Sequence, residues 1–277
     1  MESYVERLPQ PGLARVVRTV WILRTGETPY VQRNLPTGGV EIHLPVGGSP
    51  QLVGPLTGPE IEIVPPRTTI VGVRFRPGTP PSLPTTLDDL VDQRVDLADL
   101  WAAEVDGLVD RTAGSRTPER ALEVLEAHLL GRLRRAAGPD PLVGAAVDAL
   151  MPWRRVGITS LAADLALSSS QLRRRCLHSV GVGPKVLQRT LRFQGFLALA
   201  QAGTVATGRR GRDGTAGLAI DTGYADQAHL SRECLQLTGL TPRLLLGGSI
   251  DRYACGHEHS ASYRPFLAAR RRAAPRG

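Results

Sequence analysis

Two short stretches of this chain carry side chains that can read the edges of nucleic-acid bases. A guanidinium group can grip a phosphate or bond O6 and N7 of guanine, and a carboxamide can bond adenine at two points. The first stretch contains Gln171 and the run Arg173-Arg174-Arg175, and the second contains Gln227. Because consecutive helical residues point about 100° apart, we expect Arg173 and Arg174 to face a nucleic acid and Arg175 to pair locally. A merely solvated helix face is the alternative.

Both stretches lie inside a pattern that the chain carries twice between residues 161 and 242. A shift of 58 positions superimposes six identical residues, which are Leu172, Arg174, Cys176, Leu177, Gly181 and Pro184 on Leu230, Arg232, Cys234, Leu235, Gly239 and Pro242. Each copy predicts two short helices joined by a tight turn, the arrangement of a helix-turn-helix. The predicted units span about residues 158–181 and 217–239.

Capping residues delimit the second helix of each unit. Ser168 and Asp226 are typical N-caps, and Gly181 and Gly239 stand where a left-handed C-cap would end each helix. A long helix predicted over residues 184–201 joins the units, and about eighteen residues at roughly 1.5 Å each would span about 27 Å. Such a rod would hold two reading units about one turn of DNA apart.

Charge is distributed unevenly along the chain. Residues 1–138 carry 15 Lys and Arg against 17 Asp and Glu, a net charge of −2, whereas residues 139–277 carry 19 against 9, a net charge of +10. A phosphate backbone is the commonest partner of such a basic half, because each neutralised phosphate releases condensed counterions. An arginine-rich soluble surface is the alternative explanation.

The amino-terminal half, residues 1–138, predicts a different architecture. Short β-branched segments alternate with Gly and Pro turns, so strands are expected at residues 16–23, 30–35, 40–44, 51–56, 61–64 and 69–75. Such spacing favours a small sandwich or barrel, followed by helices, the strongest over residues 118–135. A boundary at residues 136–139 separates this half from a helical domain over residues 139–250. The expected fold class is α+β: a small β-rich domain followed by an all-α double helix-turn-helix domain.

Composition narrows the class of protein further. Three cysteines, an odd number without a Cys-x-x-Cys pair, disfavour a disulfide framework. The chain lacks a run of eighteen apolar residues that would predict a membrane span, and its first residues lack a signal-peptide pattern, so we expect a cytoplasmic location. The basic segment 251–277 is expected to be a disordered tail.

Residues from about 141 to 246 resemble the DNA-binding domain of the AraC/XylS family of bacterial transcription regulators. The most specific part of the likeness is the run over residues 219–232, closed by Gly239-Leu240-Thr241-Pro242. The resemblance implies a seven-helix domain with two helix-turn-helix units on a bridging helix, and a sequence-specific transcription regulator rather than an enzyme. By position, the family's base- and backbone-reading residues fall on Ser170, Gln171, Arg173, Arg174, Gln227, Ala228, His229, Ser231 and Arg232.

The amino-terminal half is similar to an uncharacterised cupin-like domain that precedes such regulators. The residues that carry this likeness are Trp21, Pro36 with Glu41, Gly54 and the run 71–78. The resemblance implies a sensing or dimerising role for this half. The AraC/XylS resemblance of the helical half implies double-stranded promoter or operator DNA as a partner. RNA polymerase, a small-molecule effector of unnamed identity and a second copy of the chain are further candidates.

Three features depart from the family pattern. Cys176 and Cys234 occupy positions where phenylalanine is usual, and they are interpreted as small core residues rather than as a thiol switch, because an apolar site suppresses thiolate formation. Their small size would leave volume to fill in both units. Residues 207–214 look like an insertion, either a flexible arginine-bearing loop that touches phosphates or a plain solvent loop.

Other candidate sites are weaker. His43 has no second histidine at His-x-His spacing and is interpreted as structural or solvent-facing, so no metal is expected there. Cys255, His257, Glu258 and His259 are expected to bind metal only adventitiously, and no cofactor is predicted. The competing hypotheses are a cupin-like enzyme or small-molecule binding protein, and a DNA-binding protein without sequence specificity. The latter would bind random and promoter DNA equally well, whereas a regulator should prefer its operator by at least ~10³.

Overall fold

A computed structural model describes residues 2–154, 156–207, 215–246 and 259–273. The chain has the α+β architecture expected from its sequence: in the described residues, strands are the main regular structure up to residue 96, and helices are the regular structure that follows. Residues 208–214, most of the expected insertion, lie outside the described residues.

Eight antiparallel strands form the amino-terminal half. Their bounds are β1 (Ser3–Arg7), β2 (Val17–Arg24), β3 (Tyr30–Asn34), β4 (Glu41–Pro45), β5 (Gln51–Val53), β6 (Glu60–Val64), β7 (Thr69–Phe75) and β8 (Arg94–Asp96). Six of them form one sheet in the order β1-β2-β7-β4-β5-β8, and β3 pairs with β6 in a separate ribbon. The six expected strands are confirmed, whereas β1 and β8 were missed because both are short and rich in charged residues.

The main sheet is covered on both faces. Because side chains alternate along a strand, Val20 and Ile22 of β2 join one buried cluster while Trp21 and Leu23 join another. The first cluster packs under helices α1 (Leu97–Trp101), α2 (Glu104–Ala113) and α3 (Pro118–Arg135). Trp21 and Leu23 instead pack with Val64 of the β3–β6 ribbon and with partly buried Tyr4 and Tyr30.

In the described part of the carboxy-terminal half, seven helices lie before residue 247 and one more lies within residues 259–273. Their bounds are α4 (Pro141–Ala149), α5 (Ile158–Asp164), α6 (Ser169–Val180), α7 (Pro184–Thr207), α8 (Thr215–Asp221), α9 (Gln227–Thr238), α10 (Pro242–Leu246) and α11 (Ser260–Ala273). Helix α7 is longer than the predicted 184–201; its 24 residues span about 36 Å at roughly 1.5 Å each. Throughout the described ranges, we find no helix with the length and apolar character needed to cross a bilayer.

Two buried clusters divide the helical half along α7. Leu187 and Leu191 in its first half pack with α4, α5 and α6, whereas Phe193 and Phe196 pack with α8 and α9. Each pair of short helices therefore has its own core, and one continuous helix carries both pairs.

The expected disorder of residues 251–277 is wrong for residues 260–273, which form α11. Ser262 and Phe266 lie one helical turn apart and are both buried, and α11 packs against α7, β1 and β2. The run Arg270-Arg271-Arg272 favours a solvated tail, but the residues before it place Phe266 on an apolar helix face. This face packs against elements of both halves. Residues 251–258 and 274–277 lie outside the described residues.

Candidate nucleic-acid interface

Helices α5 and α6 form the first pair of short helices. The hydroxyl of Ser168 accepts a hydrogen bond from the Gln171 backbone N–H at 3.2 Å, and the Gln171 carboxamide oxygen accepts one from the Ser168 N–H at 2.8 Å. This capping box satisfies two N–H groups that an α-helix leaves open at its start. Helix α6 ends at Gly181, whose φ of +83° is left-handed, as predicted.

The outer face of α6 bears the residues expected to read DNA. Ser170, Gln171, Arg173 and Arg174 are all exposed, while Leu172 points into the core. The carboxamide oxygen of Gln171 is committed to the capping box, so a two-point contact with adenine would require this cap to open. The exposed arginines carry no such commitment to a cap.

Arg175 pairs locally, as expected from its direction on the helix. Its guanidinium lies 2.5 Å from the carboxylate of Asp140, which also accepts hydrogen bonds from the backbone N–H groups of Leu142 and Val143 at the start of α4. Burial alone would raise the pKa of Asp140, but the bonds from Arg175 and from the two backbone groups outweigh it and lower that pKa. The pair ties α4 to α6.

Helices α8 and α9 form the second pair and repeat this construction. Asp226 caps α9 by accepting a hydrogen bond from the His229 N–H at 2.6 Å, and Gly239 ends the helix at a φ of +71°. Of the residues expected to read DNA, Gln227, Ala228 and Arg232 are exposed, whereas His229 and Ser231 are partly buried.

A local cluster engages the His229 ring. The imidazole packs edge-on against Tyr224 at a centroid distance of 5.2 Å, and its Nε2 lies 3.4 Å from the Glu233 carboxylate. Arg192 of α7 donates to the same carboxylate at 2.8 Å and stacks over Tyr224 at 4.9 Å. The sequence does not predict this cluster, because Arg192 lies on α7, far along the chain from Tyr224 and from His229 and Glu233 of α9. It fixes α9 on α7.

Cys176 and Cys234 occupy equivalent positions in the two cores. Both are fully buried and free, and burial raises the pKa of each thiol to about 11. The expectation that they serve as small core residues is confirmed. Cys255 lies outside the described residues.

A buried network of charges joins α11 to the main sheet. Arg74 of β7 pairs with Glu41 at 2.6 Å and with Glu6 at 3.1 Å, and it donates to the Ser262 hydroxyl at 2.5 Å. Burial opposes ionisation of Glu41, but Arg74 and His43 outweigh it and lower the pKa of that carboxyl to about 2. Glu41 and Arg74 both belong to the sequence pattern of the amino-terminal half, but that pattern does not predict that the two side chains meet.

His43 is structural rather than solvent-facing. Its ring is 2% exposed and lies between the carboxylates of Glu41, at 3.7 Å, and Glu62, at 3.6 Å. Burial lowers the pKa of His43, yet both carboxylates outweigh that effect and raise it. Among the residues that the structure describes, we find no group of three or more side chains suited to hold a metal ion. Of the terminal Cys/His cluster only His259 is described, and its ring contacts Glu6 at 3.0 Å.

A cavity of about 140 Å³ lies between the two halves of the molecule. The sheet side contributes aromatic and charged groups, including Trp21 and Arg18, and the helical side contributes Leu197, Gln201 and Leu245. Arg18 is almost fully buried, and it donates to the Ser262 carbonyl at 2.7 Å and to the Gln194 side chain at 2.9 Å. The wall of this cavity is therefore built from both halves at once.

Comparison with known proteins gives one family match and several matches of fold. Residues 5–96, about a third of the chain, match a domain of unknown function, DUF6597. This match covers the strands and the pattern around Trp21, Glu41 and Gly54. No curated protein matches the sequence.

Among solved structures, the chain is similar to ToxT of Vibrio cholerae. One ToxT structure, from strain O395, shares 12% identity, covers 90% of this chain and 99% of its own, and has a TM-score of 0.44. A second, solved with an unsaturated fatty acid bound, shares 13% identity over 88% of this chain and 95% of its own, with a TM-score of 0.42. At such identities the likeness concerns the fold alone.

Proposed function

We propose that this chain is a sequence-specific, DNA-binding transcription regulator of the AraC type. The observation that carries the proposal is the equivalence of α6 and α9. Each buries a leucine and a cysteine, exposes an arginine two positions before that cysteine, and ends at a left-handed glycine. Both helices then present their first turns to solvent, the part of a recognition helix that enters a major groove.

The dimensions and charge of the helical half support two reading units on one duplex. The 24 residues of α7 span about 36 Å, close to the ~34 Å helical turn that separates successive major grooves on one side of DNA. The net charge of +10 over residues 139–277 supplies the attraction to phosphates that such binding needs.

We further propose that the amino-terminal half senses a small molecule. The cavity at the junction is close in volume to the ~150 Å³ engineered cavity that holds benzene. A ligand that fits better in one arrangement of the two halves would shift their equilibrium toward it. Because the walls come from both halves, such a ligand could link sensing to DNA reading.

Selection from random DNA tests the assignment of function. The full chain should enrich a defined sequence, and Arg174→Ala and Arg232→Ala should each weaken binding to it by about 1 to 3 kcal/mol if the arginine reads a base. Arg24→Ala, which removes an exposed arginine from the amino-terminal half, is the matched control and should leave the affinity unchanged.

Two outcomes would overturn the proposal. Failure to enrich any sequence, with equal affinity for random and selected DNA at physiological salt, would indicate binding without specificity. Unchanged affinity and footprints in both arginine variants would exclude α6 and α9 as the reading helices.

A further inference from the structure

One loop of the amino-terminal half lies beside both proposed reading helices at equivalent places. This segment, residues 54–59, joins β5 to β6 and is called the 54–59 loop below. At one end, a methyl group added to Gly181 would lie 2.6 Å from Pro55 Cγ. At the other, a methyl group added to Gly239 would lie 3.7 Å from Pro59 Cγ. The two glycines are the C-caps of α6 and α9 and occupy matching positions of the internal repeat.

Additional contacts strengthen each end of this arrangement. Beside Pro55, the Leu87 carbonyl oxygen lies close to Gly181 as well, 2.8 Å from where a methyl group would stand. Beside Pro59, Arg33 of β3 donates a hydrogen bond of 2.7 Å to the carbonyl of Thr238, the last residue of α9. The last carbonyl groups of a helix have no hydrogen-bond partner within the helix, so Arg33 satisfies one of them. Its positive charge also interacts favourably with the negative end of the helix dipole.

Hydrogen bonds to Asp92 hold the 54–59 loop in place. The Asp92 carboxylate accepts hydrogen bonds from the Thr57 N–H at 2.7 Å and from the Thr57 hydroxyl at 2.5 Å, while the Asp92 N–H donates to the Pro55 carbonyl at 3.0 Å. Gly54 fits where any side chain would strike the Leu90 carbonyl oxygen, since a methyl group there would be 1.8 Å away. These contacts hold Pro55 and Pro59 in a fixed place relative to the rest of the amino-terminal half.

The ribbon that carries Arg33 is anchored too. Arg94 of β8 donates to Glu60 at 2.8 Å and to Glu62 at 2.8 Å, both on β6. These bonds fasten the β3–β6 ribbon, which carries Arg33, to the main sheet.

From these contacts we infer that the 54–59 loop and Arg33 set the distance and angle between α6 and α9, and thereby the half-site spacing that the protein accepts on DNA. This inference rests on the proposed function. Helix α7 bridges the two units, and long helices can curve. A segment of the amino-terminal half that lies beside both C-caps gives the two units a second connection and restricts their mutual orientation before DNA is bound. Arg33, Pro55 and Pro59 are thus positioning residues that need no contact with DNA.

Spacer-length preference measures this role directly. DNA selected by the wild-type chain would be rebuilt with its two half-sites moved apart or together by one or two base pairs, and compared with a fragment carrying a single half-site. The variants are Arg33→Met and an insertion of Gly-Ser between Thr57 and Gly58. Arg33→Lys keeps a donor at the C-cap, and Arg24→Met removes an exposed ion pair with Glu119 as the matched control.

The wild type, Arg33→Lys and Arg24→Met should prefer one spacing strongly. In Arg33→Met and in the insertion variant, the ratio of affinities between the best and the next-best spacing should fall at least threefold, while affinity for a single half-site stays within twofold. A general loss of stability would lower all affinities together and leave that ratio intact.

The result that would overturn the inference is a spacing preference equal to that of the wild type in both loop variants. If selection enriches no sequence with the wild-type chain, the proposed function has failed instead, so the two failures are distinguishable.

Discussion

Cys176 of α6 and Cys234 of α9 each lie in a core of apolar side chains. A thiol in each of α6 and α9 suggests a redox switch, yet both side chains are fully buried in apolar cores, and burial raises the pKa of each thiol to about 11. The thiolate is the reactive form of cysteine. At pH 8 only about one thiol in a thousand would be ionised at such a pKa, so neither residue is suited to sense oxidants.

Thiol titration checks this at residue scale. In a Cys255→Ser background, an aromatic disulfide reagent at pH 8 should react with no thiol of the native chain over minutes and with two thiols after denaturation. The unaltered chain provides the control for Cys255. Rapid modification of either remaining thiol in the native state would restore the redox hypothesis.

At the scale of secondary-structure elements, the glycines at the ends of α6 and α9 have two structural roles. A left-handed glycine stops each helix, and the same glycine leaves room for the amino-terminal half to approach. Comparing Gly181 with Gly47 distinguishes the two roles, because both have φ close to +80° but only Gly181 has close neighbours. A methyl group on Gly47 would meet nothing within 4 Å.

The pair Gly181→Ala and Gly47→Ala therefore gives a matched comparison. Gly47→Ala should cost about 1 kcal/mol of unfolding free energy, the strain of a left-handed backbone with a side chain. Gly181→Ala should cost a further 1 to 3 kcal/mol, roughly, from overpacking against Pro55 and Leu87. Urea unfolding measures both. Equal losses would show that this contact between the halves does not form in solution.

On the scale of the whole molecule, α11 and the cavity make the two halves interdependent. Helix α11 buries Ser262 and Phe266, and Ser262 accepts hydrogen bonds from Arg18 and Arg74 and donates its backbone N–H to Glu6. The cavity lies beside this network, with walls from the sheet, α7, α10 and α11. A ligand there would contact both halves simultaneously.

Gln201 lies at the cavity wall and is only partly buried, so a larger side chain can enter the space without displacing the core. Single-ring compounds found to raise the thermal midpoint of the wild type should act equally on Gln201→Ala. They should lose their effect on Gln201→Trp, because the indole fills the cavity. A stabilising compound that works unchanged on Gln201→Trp would bind elsewhere on the molecule.

Local signals in the sequence determined the helical half closely. The N-caps Ser168 and Asp226 and the C-caps Gly181 and Gly239 follow from short-range rules and are confirmed by the structure. These rules work because caps and helical faces depend on residues three or four positions apart. The assignment of DNA-reading residues remains a prediction, since exposure alone does not identify a partner.

Tertiary structure alone decided which distant residues meet. Arg18 bonds Ser262 across 244 positions, Arg33 reaches Thr238 across 205, and His43 is enclosed by Glu41 and Glu62. Burial makes such polar contacts obligatory, but no local pattern names the partner. The sequence by itself determined two repeated units and the residues they expose. The folded chain decided that α11 is a helix, that a cavity lies at the junction, and that one loop lies beside both units, because each depends on how separate surfaces pack.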